Sequence, residues 1–157
     1  MSLHATPDGA YRIREASSAD LERVRELLVA AALPLDGLDE QFGPSYAVAE
    51  SDETIIGVEG IEIYDDDGLL RSAAVDPTWR GRGVGDALTR NRIEWARQSG
   101  LHALYLLTTT AGAYFPRFGF VAESRDAAPE GIRRSREFTD ACPATALFMR
   151  LPLSENQ

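Results

Sequence analysis

The spacing of hydrophobic and polar residues changes several times along the chain, and each change marks the boundary of a predicted element. Apolar residues that alternate with polar ones, or that form a short continuous run, predict a strand. Apolar residues that recur every three or four positions predict a helix. The predicted strands are Tyr11–Ala16, Tyr46–Glu50, Thr54–Tyr64, Leu69–Val75, Leu101–Thr108, Gly119–Val121 and Thr145–Leu151.

The clearest helical spacing follows Ser17–Asp20, a segment typical of a helix cap. One face of this helix carries Leu21, Val24, Leu27, Leu28 and Ala31. A second long helix is predicted over Asp86–Ser99, with Gly100 as its C-terminal cap. Shorter helical segments are predicted at Leu38–Phe42, Ala111–Phe118 and 129–141.

The order of these elements predicts an α+β fold with a central mixed sheet. Three consecutive strands, joined by turns at Ser51–Glu53 and Asp65–Gly68, favour an antiparallel meander. The strand, loop, helix and strand that follow favour a parallel crossover. We expect residues 1–10 to form a loose tail and residues 11–157 to form a single domain.

Composition and charge narrow the possible chemistry. The 157 residues carry a formal net charge of −9, and all 16 basic residues are arginine. The absence of lysine excludes a Schiff base and a Gly-Lys phosphate loop. The formal net charge is −12 for residues 1–68 and +3 for residues 69–157. An acidic protein is a poor general binder of nucleic acid or anionic membranes, whereas the second half is compatible with an anionic small ligand.

The sequence predicts neither a metal site nor a membrane anchor. Cys142 is the only cysteine, so an intrachain disulfide is excluded, and a buried thiol is its favoured interpretation. No cluster has the spacing of metal ligands. The chain has no signal-peptide pattern and no apolar run of membrane-spanning length, so we expect a cytoplasmic protein.

The segment Val75–Leu88 carries the most informative pattern, because three glycines fall within five residues where a helix is predicted to begin. Amide groups at such a position, with the positive end of the helix dipole, favour binding of an anion such as a pyrophosphate. Arg80 and Arg82 add positive charge. The alternative is a tight turn with solvated arginines. A dinucleotide-binding fingerprint is excluded because Asp86 and Leu88 stand where it needs a small residue.

The loop sequence Arg80-x-x-Gly83-x-Gly85 resembles the Arg/Gln-x-x-Gly-x-Gly/Ala signature of the GCN5-related N-acetyltransferase (GNAT) family. Similar sequence also surrounds the loop, at Ala74–Pro77, Ile93–Gly100, Leu106–Thr109 and Tyr114–Phe120. The resemblance covers roughly residues 11–151. It implies a GNAT-like sheet with an antiparallel N-terminal half and parallel central strands that splay apart, flanked by helices.

The resemblance also implies that acetyl-CoA is the cosubstrate. The residues expected to hold its pyrophosphate are Arg80, Gly81, Arg82, Gly83, Val84, Gly85 and Asp86. The main chain of Ala74 and Val75 is expected to pair with the pantetheine arm like an added strand.

The segment Phe138–Met149 has a narrower resemblance, to acetyltransferases associated with arsenic resistance. That subgroup implies the primary amine of a small, amino-acid-like metabolite as the acceptor. The intact glycine loop favours direct transfer from acetyl-CoA, and we expect a monomer or a homodimer. Two alternatives stay open. One is a non-catalytic module that binds or senses acyl-CoA, and the other is a protein or peptide N-acetyltransferase.

Candidate catalytic residues lie on the long predicted strand and near the aromatic segment. Glu59 and Glu62 are candidates for the general base, and because they are three residues apart they should face opposite sides of the sheet. Glu59 is slightly favoured, and the alternative for either is a solvated carboxylate. The tyrosine that usually acts as the family's acid is replaced by Phe115, so its neighbour Tyr114 is the candidate acid or else an aromatic core residue.

Candidate substrate-binding residues are Arg71, Thr108 and Thr109. Arg71 interrupts an apolar strand, and a buried arginine needs a partner. It is expected either to capture a substrate carboxylate or to pair with Glu59 or Glu62. The threonines end the next strand, where they could contact the substrate or serve only strand formation and capping.

Overall fold

The structure is a computed structural model that describes residues 10–109, 111–135, 138 and 146–153. Its helices are α1 (Leu21–Ala30), α2 (Leu38–Gln41), α3 (Val84–Gln98) and α4 (Glu130–Arg133). Its strands are β1 (Arg12–Glu15), β2 (Tyr46–Ser51), β3 (Thr54–Tyr64), β4 (Asp67–Val75), β5 (Ala103–Thr108), β6 (Val121–Ala122) and β7 (Leu147–Pro152). The predictions for residues 1–9, Thr110, Cys142 and Thr145 lie outside the described residues.

The described strands form one mixed sheet in the order β1-β2-β3-β4-β5-β7-β6. β1, β2 and β3 are antiparallel neighbours. The antiparallel pairing of β2 with β3 belongs to the predicted meander, and β4 lies next to β3 in the sheet. The predicted parallel pairing of β4 with β5 is also confirmed, and it begins at Asp67↔Ala103 and ends at Leu69↔Tyr105. β4 then continues to Val75, beyond this pairing. The last strand, β7, lies antiparallel between β5 and β6.

The chain divides into two compact units, and β3, β4 and α3 each contribute residues to both. The first unit contains the described residues up to Leu35, together with Phe42–Gly60 and Ser72–Arg92. The second contains Asp36–Gln41, Ile61–Arg71 and the described residues from Ile93 onward.

The first unit is organised around small and aliphatic side chains. Val24, Leu27 and Leu28 form the buried face of α1, as their spacing predicts. A separate cluster joins β2 and β3 to the beginning of α3, and its buried members are Ala47, Ala49, Ile56, Val84 and Leu88. Such packing holds α3 against the strands at its N-terminal end.

The second unit has two clusters of buried hydrophobic residues. One includes Ile61, Ile93, Leu104 and Phe120. The other includes Leu69, Phe148 and Ile132. Ile61 and Leu69 come from β3 and β4, so the central strands supply side chains to separate cores.

Backbone caps explain where the main helices begin and end. The Ser17 amide donates to Asp20 Oδ2 at 2.8 Å just before α1, in agreement with the predicted cap. Gly100 has φ +82°, and the Leu101 amide donates to the Ala96 carbonyl, which is the pattern of a glycine-capped helix end. α3 begins at Val84, two residues earlier than predicted. Val84 and Gly85 are weak helix formers, so the sequence does not indicate that they form the first turn of the helix.

One of the predicted helical segments is shorter in the structure. The aromatic segment forms a 3₁₀ turn at Phe115–Phe118 rather than a helix over Ala111–Phe118. Within 129–141, α4 forms part of the predicted helix, and most residues after Ser135 lie outside the described ones. No helix in the described ranges is both long and apolar enough to cross a membrane.

Candidate active site

The glycine loop between β4 and α3 depends on two left-handed backbone positions. Gly81 has φ +79° and Gly83 has φ +85°. A methyl group at either position would meet open space, so glycine is required there by backbone conformation and not by crowding. The chain therefore turns from the strand into the helix over a loop that stays open to solvent.

The first turn of α3 offers backbone amides next to this loop. The Ala87 amide donates to the Gly83 carbonyl at 3.0 Å, which is the first bond of the helix. The amides of Val84 and Gly85 precede that bond, at the end of the helix where backbone N–H groups lack an intrahelical carbonyl. Together with the helix dipole, they form an environment suited to a negatively charged group.

A close approach to β3 fixes the position of this helix end. At Gly57, an added Cβ would lie 3.1 Å from Leu88 Cδ1 and 3.3 Å from Val84 Cγ1. The absence of a side chain at Gly57 therefore allows α3 to pack tightly on the strand.

The two arginines of the loop have different contacts. Arg80 Nε donates to the Val75 carbonyl at 3.2 Å, which ties its side chain back to the end of β4. The Arg82 guanidinium lies over the Trp79 ring, 4.8 Å from its centroid. Trp79 in turn packs edge-on against Tyr11. Both arginines are exposed, so their charges are accessible from solvent.

The end of β4 presents main-chain groups away from β3. The Asp76 amide donates to the Ile56 carbonyl of β3 at 2.8 Å. Because successive residues of a strand direct their polar groups to opposite edges, the groups of Val75 point to the other edge. The main-chain groups of Ala74 point toward β3. Its carbonyl oxygen would lie 3.4 Å from a Cβ added at Gly57 of that strand, which agrees with this direction. Of the two residues predicted to bind pantetheine, Val75 has the outward groups.

Glu59 lies in the first unit and points at α3. Its side chain is 1% exposed, and Oε1 accepts a hydrogen bond from Thr89 Oγ1 at 2.8 Å. Oε2 is buried without a hydrogen-bond partner. Burial raises the pKa of Glu59 to about 8, against the opposing effects of the Thr89 hydrogen bond and the charge of Arg92. Glu59 is therefore a mostly protonated carboxyl at neutral pH.

Arg92, one turn further along α3, is also buried. Its Nη1 donates to the Ser45 carbonyl at 2.9 Å. Burial lowers the pKa of Arg92 to about 10, and the guanidinium remains charged at neutral pH. Neither Arg92 nor Thr89 is among the candidates predicted from the sequence. One feature of the sequence could have indicated them: both are polar residues on a helix face that also carries the apolar Leu88 and Ile93.

Glu62 lies in the second unit and has a different environment. Its Oε2 accepts a hydrogen bond from Arg71 Nη1 at 2.9 Å, and its Oε1 accepts one from the Tyr64 hydroxyl at 2.7 Å. Arg71 Nη1 also donates to the Asp36 carbonyl at 2.6 Å. Of the two alternatives for Arg71, the structure therefore contains the ion pair with the neighbouring strand.

The remaining candidates lie among aromatic and capping contacts. The Tyr114 ring packs edge-on against Phe115 and Phe118, and the Arg117 guanidinium lies 4.6 Å from its centroid. Phe115 is buried. Thr108 Oγ1 accepts a hydrogen bond from the Ala111 amide at 2.9 Å, in agreement with the capping alternative. Thr109 is exposed.

Two further features lie apart from these residues. An open cavity of about 770 Å³ is lined by Ala10–Arg12 and Glu50–Glu53, none of which the sequence analysis selected. Among the described residues, no three His, Cys, Asp or Glu side chains are grouped closely enough to hold a metal ion.

The raised pKa of Glu59 predicts that stability depends on pH. The unfolded side chain ionises near 4.5 and the folded one near 8, so the free energy of unfolding should fall as pH rises between these values. The loss is at most about 5 kcal/mol. Glu59→Gln should remove this dependence and leave the protein more stable than wild type at pH 9.

Urea unfolding from pH 4.5 to 9 measures this effect, with Glu94→Gln, at an exposed position of α3, as the control. Glu94→Gln should retain the slope of the wild type. A Glu59→Gln profile that runs parallel to the wild-type profile would show that Glu59 titrates normally.

Curated relatives cover most of this chain but are much longer proteins. The amino-acid acetyltransferase of Neisseria meningitidis serogroup A is 27% identical over 132 residues, which are 78% of this chain and 30% of that protein. The amino-acid acetyltransferase of Ralstonia nicotianae is 30% identical over 132 residues, which are 78% and 29% of the two chains. The chain thus spans about 30% of the length of these relatives.

Solved structures share the fold. An N-acetylglutamate synthase from Neisseria gonorrhoeae, complexed with coenzyme A and N-acetyl-glutamate, superposes with a TM-score of 0.78 at 24% identity, over 93% of this chain and 36% of that one. Rv2747 from Mycobacterium tuberculosis, in complex with CoA, superposes with a TM-score of 0.75 at 24% identity, over 90% and 99% of the two chains.

A family model gives the most direct assignment. The model described as the acetyltransferase (GNAT) family matches residues 11–120, which include the glycine loop and both buried glutamates. The match covers well over half of the chain, which therefore belongs to the GNAT acetyltransferase family.

Proposed function

We propose that this chain is an acetyl-CoA-dependent N-acetyltransferase that transfers the acetyl group directly to the primary amine of a small, amino-acid-like acceptor. The observation that carries the proposal is the glycine loop, with its two left-handed glycines and the first-turn amides of α3. Membership of the acetyltransferase family supports the reaction type.

The loop residues fit the diphosphate of the cosubstrate. The backbone amides from Gly81 to Asp86 bind its oxygens, and no lysine is needed because the helix end and two arginines supply the positive potential. Arg82 is the arginine whose guanidinium is not bonded to β4. The outward main-chain groups of Val75 pair with the pantetheine arm as an added strand, adjoining Ala74.

The reaction requires an unprotonated amine. An α-ammonium group has a pKa of about 8, so it must lose a proton before its nitrogen attacks the thioester carbon. The base takes this first proton. As the C–N bond forms and the C–S bond breaks, the nitrogen loses its second proton to the departing thiolate or to solvent, and the thiol leaves. We assign the base to the carboxylate form of Glu59, acting through water, because its Oε2 has no hydrogen-bond partner and its raised pKa makes it more basic than an ordinary carboxylate.

Other residues are secondary candidates for the proton steps. Both oxygens of Glu62 already accept hydrogen bonds, which disfavours Glu62 as the base. Tyr114 is the candidate acid for the departing thiolate. A thiol with a pKa of about 8.5 leaves readily without an acid, so Tyr114 is not essential to this mechanism.

The names of the relatives support an amino acid as the acceptor. The curated relatives are amino-acid acetyltransferases, and the solved synthase was complexed with N-acetyl-glutamate. In this proposal Arg71 contributes positive charge to the binding of the acceptor's carboxylate, and Thr108 and Thr109 are further candidates to contact the acceptor. This role requires Arg71 to share its guanidinium with Glu62.

A non-catalytic acyl-CoA-binding module is the second candidate. Phe115, which stands where the family usually has an acid tyrosine, favours it because a buried phenyl ring cannot donate a proton. Thiol release with a panel of amino acids, polyamines and peptides separates the candidates. Tight coenzyme binding without turnover on any amine would favour the module, and faster turnover of peptides would favour a peptide acetyltransferase.

Gly83→Ala should weaken coenzyme binding about tenfold, since the left-handed conformation costs a non-glycine residue about 1–2 kcal/mol and the loop shifts to relieve it. Gly100→Ala is a matched control, because Gly100 has φ +82°, faces open space and ends the same helix. Calorimetric titration with CoA should show the loss only in Gly83→Ala, although both variants lose similar stability. Equal affinities would contradict the proposed pyrophosphate site.

Arg71→Lys should raise KM for an amino acid acceptor about tenfold, because an ammonium group cannot make the two-pronged contact that a guanidinium makes with a carboxylate. The amide of the same amino acid has no carboxylate, so its KM should change little. Thiol-release kinetics measure both, with KM for acetyl-CoA as the internal control. An equal rise for acid and amide would limit Arg71 to its ion pair with Glu62.

A further inference from the structure

Arg23 joins three separate segments of the first unit. It is the third residue of α1, and its Nε donates to the Ile55 carbonyl at the beginning of β3, at 3.0 Å. Its Nη2 donates to Asp76 Oδ2 at 3.0 Å, and its Nη1 donates to Glu26 Oε1 at 3.3 Å. All three nitrogens of the guanidinium are therefore used, each toward a different group.

The position of Arg23 is unfavourable for an isolated helix. A positive charge in the first turn opposes the helix dipole, which favours acidic residues such as the neighbouring Glu22. A residue that breaks a local preference is commonly retained for a contact elsewhere in the fold. For Arg23, that contact is with the end of β4.

Asp76 is the point at which Arg23 reaches the glycine loop. Its Oδ1 accepts hydrogen bonds from the amide and the hydroxyl of Thr78, at 2.9 and 2.8 Å. These bonds, with that from Arg23, hold the pKa of Asp76 below its ordinary value. Asp76 thereby caps the 3₁₀ turn Pro77–Trp79, which leads directly into Arg80 and the glycines.

We propose that Arg23 and Asp76 are positioning residues that preorganise the pyrophosphate loop. The inference rests on the proposed function, since it assigns a role to residues that do not themselves contact the coenzyme. Gly81 and Gly83 give the loop great conformational freedom, and ordering it on binding costs free energy. Fixing the strand end of the loop from α1 lowers that cost before the coenzyme arrives.

The test compares Arg23→Gln, Asp76→Asn and the double variant with wild type. Each single variant should weaken CoA binding about fivefold, as expected for a partly exposed ion pair that acts through the loop. The losses should be less than additive in the double variant, because both changes remove the contact between Arg23 and Asp76. Pantetheine, which lacks the diphosphate, should bind all four proteins alike.

Hydrogen exchange provides a measurement that needs no ligand. Amides from Thr78 to Gly85 should exchange faster in Arg23→Gln and Asp76→Asn than in wild type. Arg23→Lys should behave like Arg23→Gln, since one ammonium group cannot reproduce three divergent donors. The exposed ion pair of α4, broken in Arg134→Gln, is the control and should leave exchange and CoA affinity unchanged.

The outcomes separate this inference from the proposed function. If wild type fails to bind CoA, the proposed function fails, and only the exchange result still bears on the loop. If wild type binds CoA and the variants match it in affinity and exchange, the positioning role is wrong. Equal losses for CoA and pantetheine would show a general weakening of the first unit, and would also overturn it.

Discussion

The proposed coenzyme site depends on the left-handed main chain at Gly81 and Gly83. These two residues let the chain leave β4 and enter α3 within a few positions, which leaves the first-turn amides next to an open loop. Any other residue would cost about 1–2 kcal/mol at each position. The requirement is conformational, because neither glycine has a neighbour that a methyl group would meet.

The rest of the first unit holds this loop in place from both sides. On the helix side, Gly57 admits α3 close to β3, and the Glu59–Thr89 hydrogen bond adds a polar contact. On the strand side, Asp76 caps the turn before the loop and is joined to α1 by Arg23. A loop rich in glycine thus lies between two fixed ends, which reduces the entropy that binding must remove.

Burial gives the two glutamates of β3 different chemistry. Glu59 keeps one oxygen without a partner and has a raised pKa, so it is protonated at neutral pH. Glu62 has both oxygens bonded, one of them to the guanidinium of Arg71. Breaking such a buried pair by removing one partner leaves an uncompensated charge, which makes the pair costly to disrupt.

The sequence predicts elements with strong local signals and misses contacts that arise between elements. The bounds of β3 follow from its long apolar pattern between two turns, and the opposite environments of Glu59 and Glu62 follow from their spacing of three. The partners Thr89 and Arg92 come from a helix whose packing the local pattern does not specify. For Arg71, the sequence leaves two alternatives, because the choice depends on where the neighbouring strand places Glu62.

The position of β7 in the sheet also depends on contacts between elements that are distant in the sequence. Its apolar pattern predicts a strand, but its insertion between β5 and β6 is set by pairing with residues far away along the chain, such as Ala103 with Pro152. Such pairing has no signal in the local spacing of residues. The aromatic segment was predicted as a longer helix because its spacing does not distinguish an α-helical turn from the observed 3₁₀ turn.

The central claim is that the amides at the beginning of α3 bind the diphosphate of the coenzyme. A nuclear magnetic resonance titration that follows the amide signals of Val84, Gly85 and Asp86 tests it most directly. With CoA, these three signals should shift strongly, and with pantetheine at matched saturation they should not. Equal shifts with both ligands, or none with CoA, would contradict the claim.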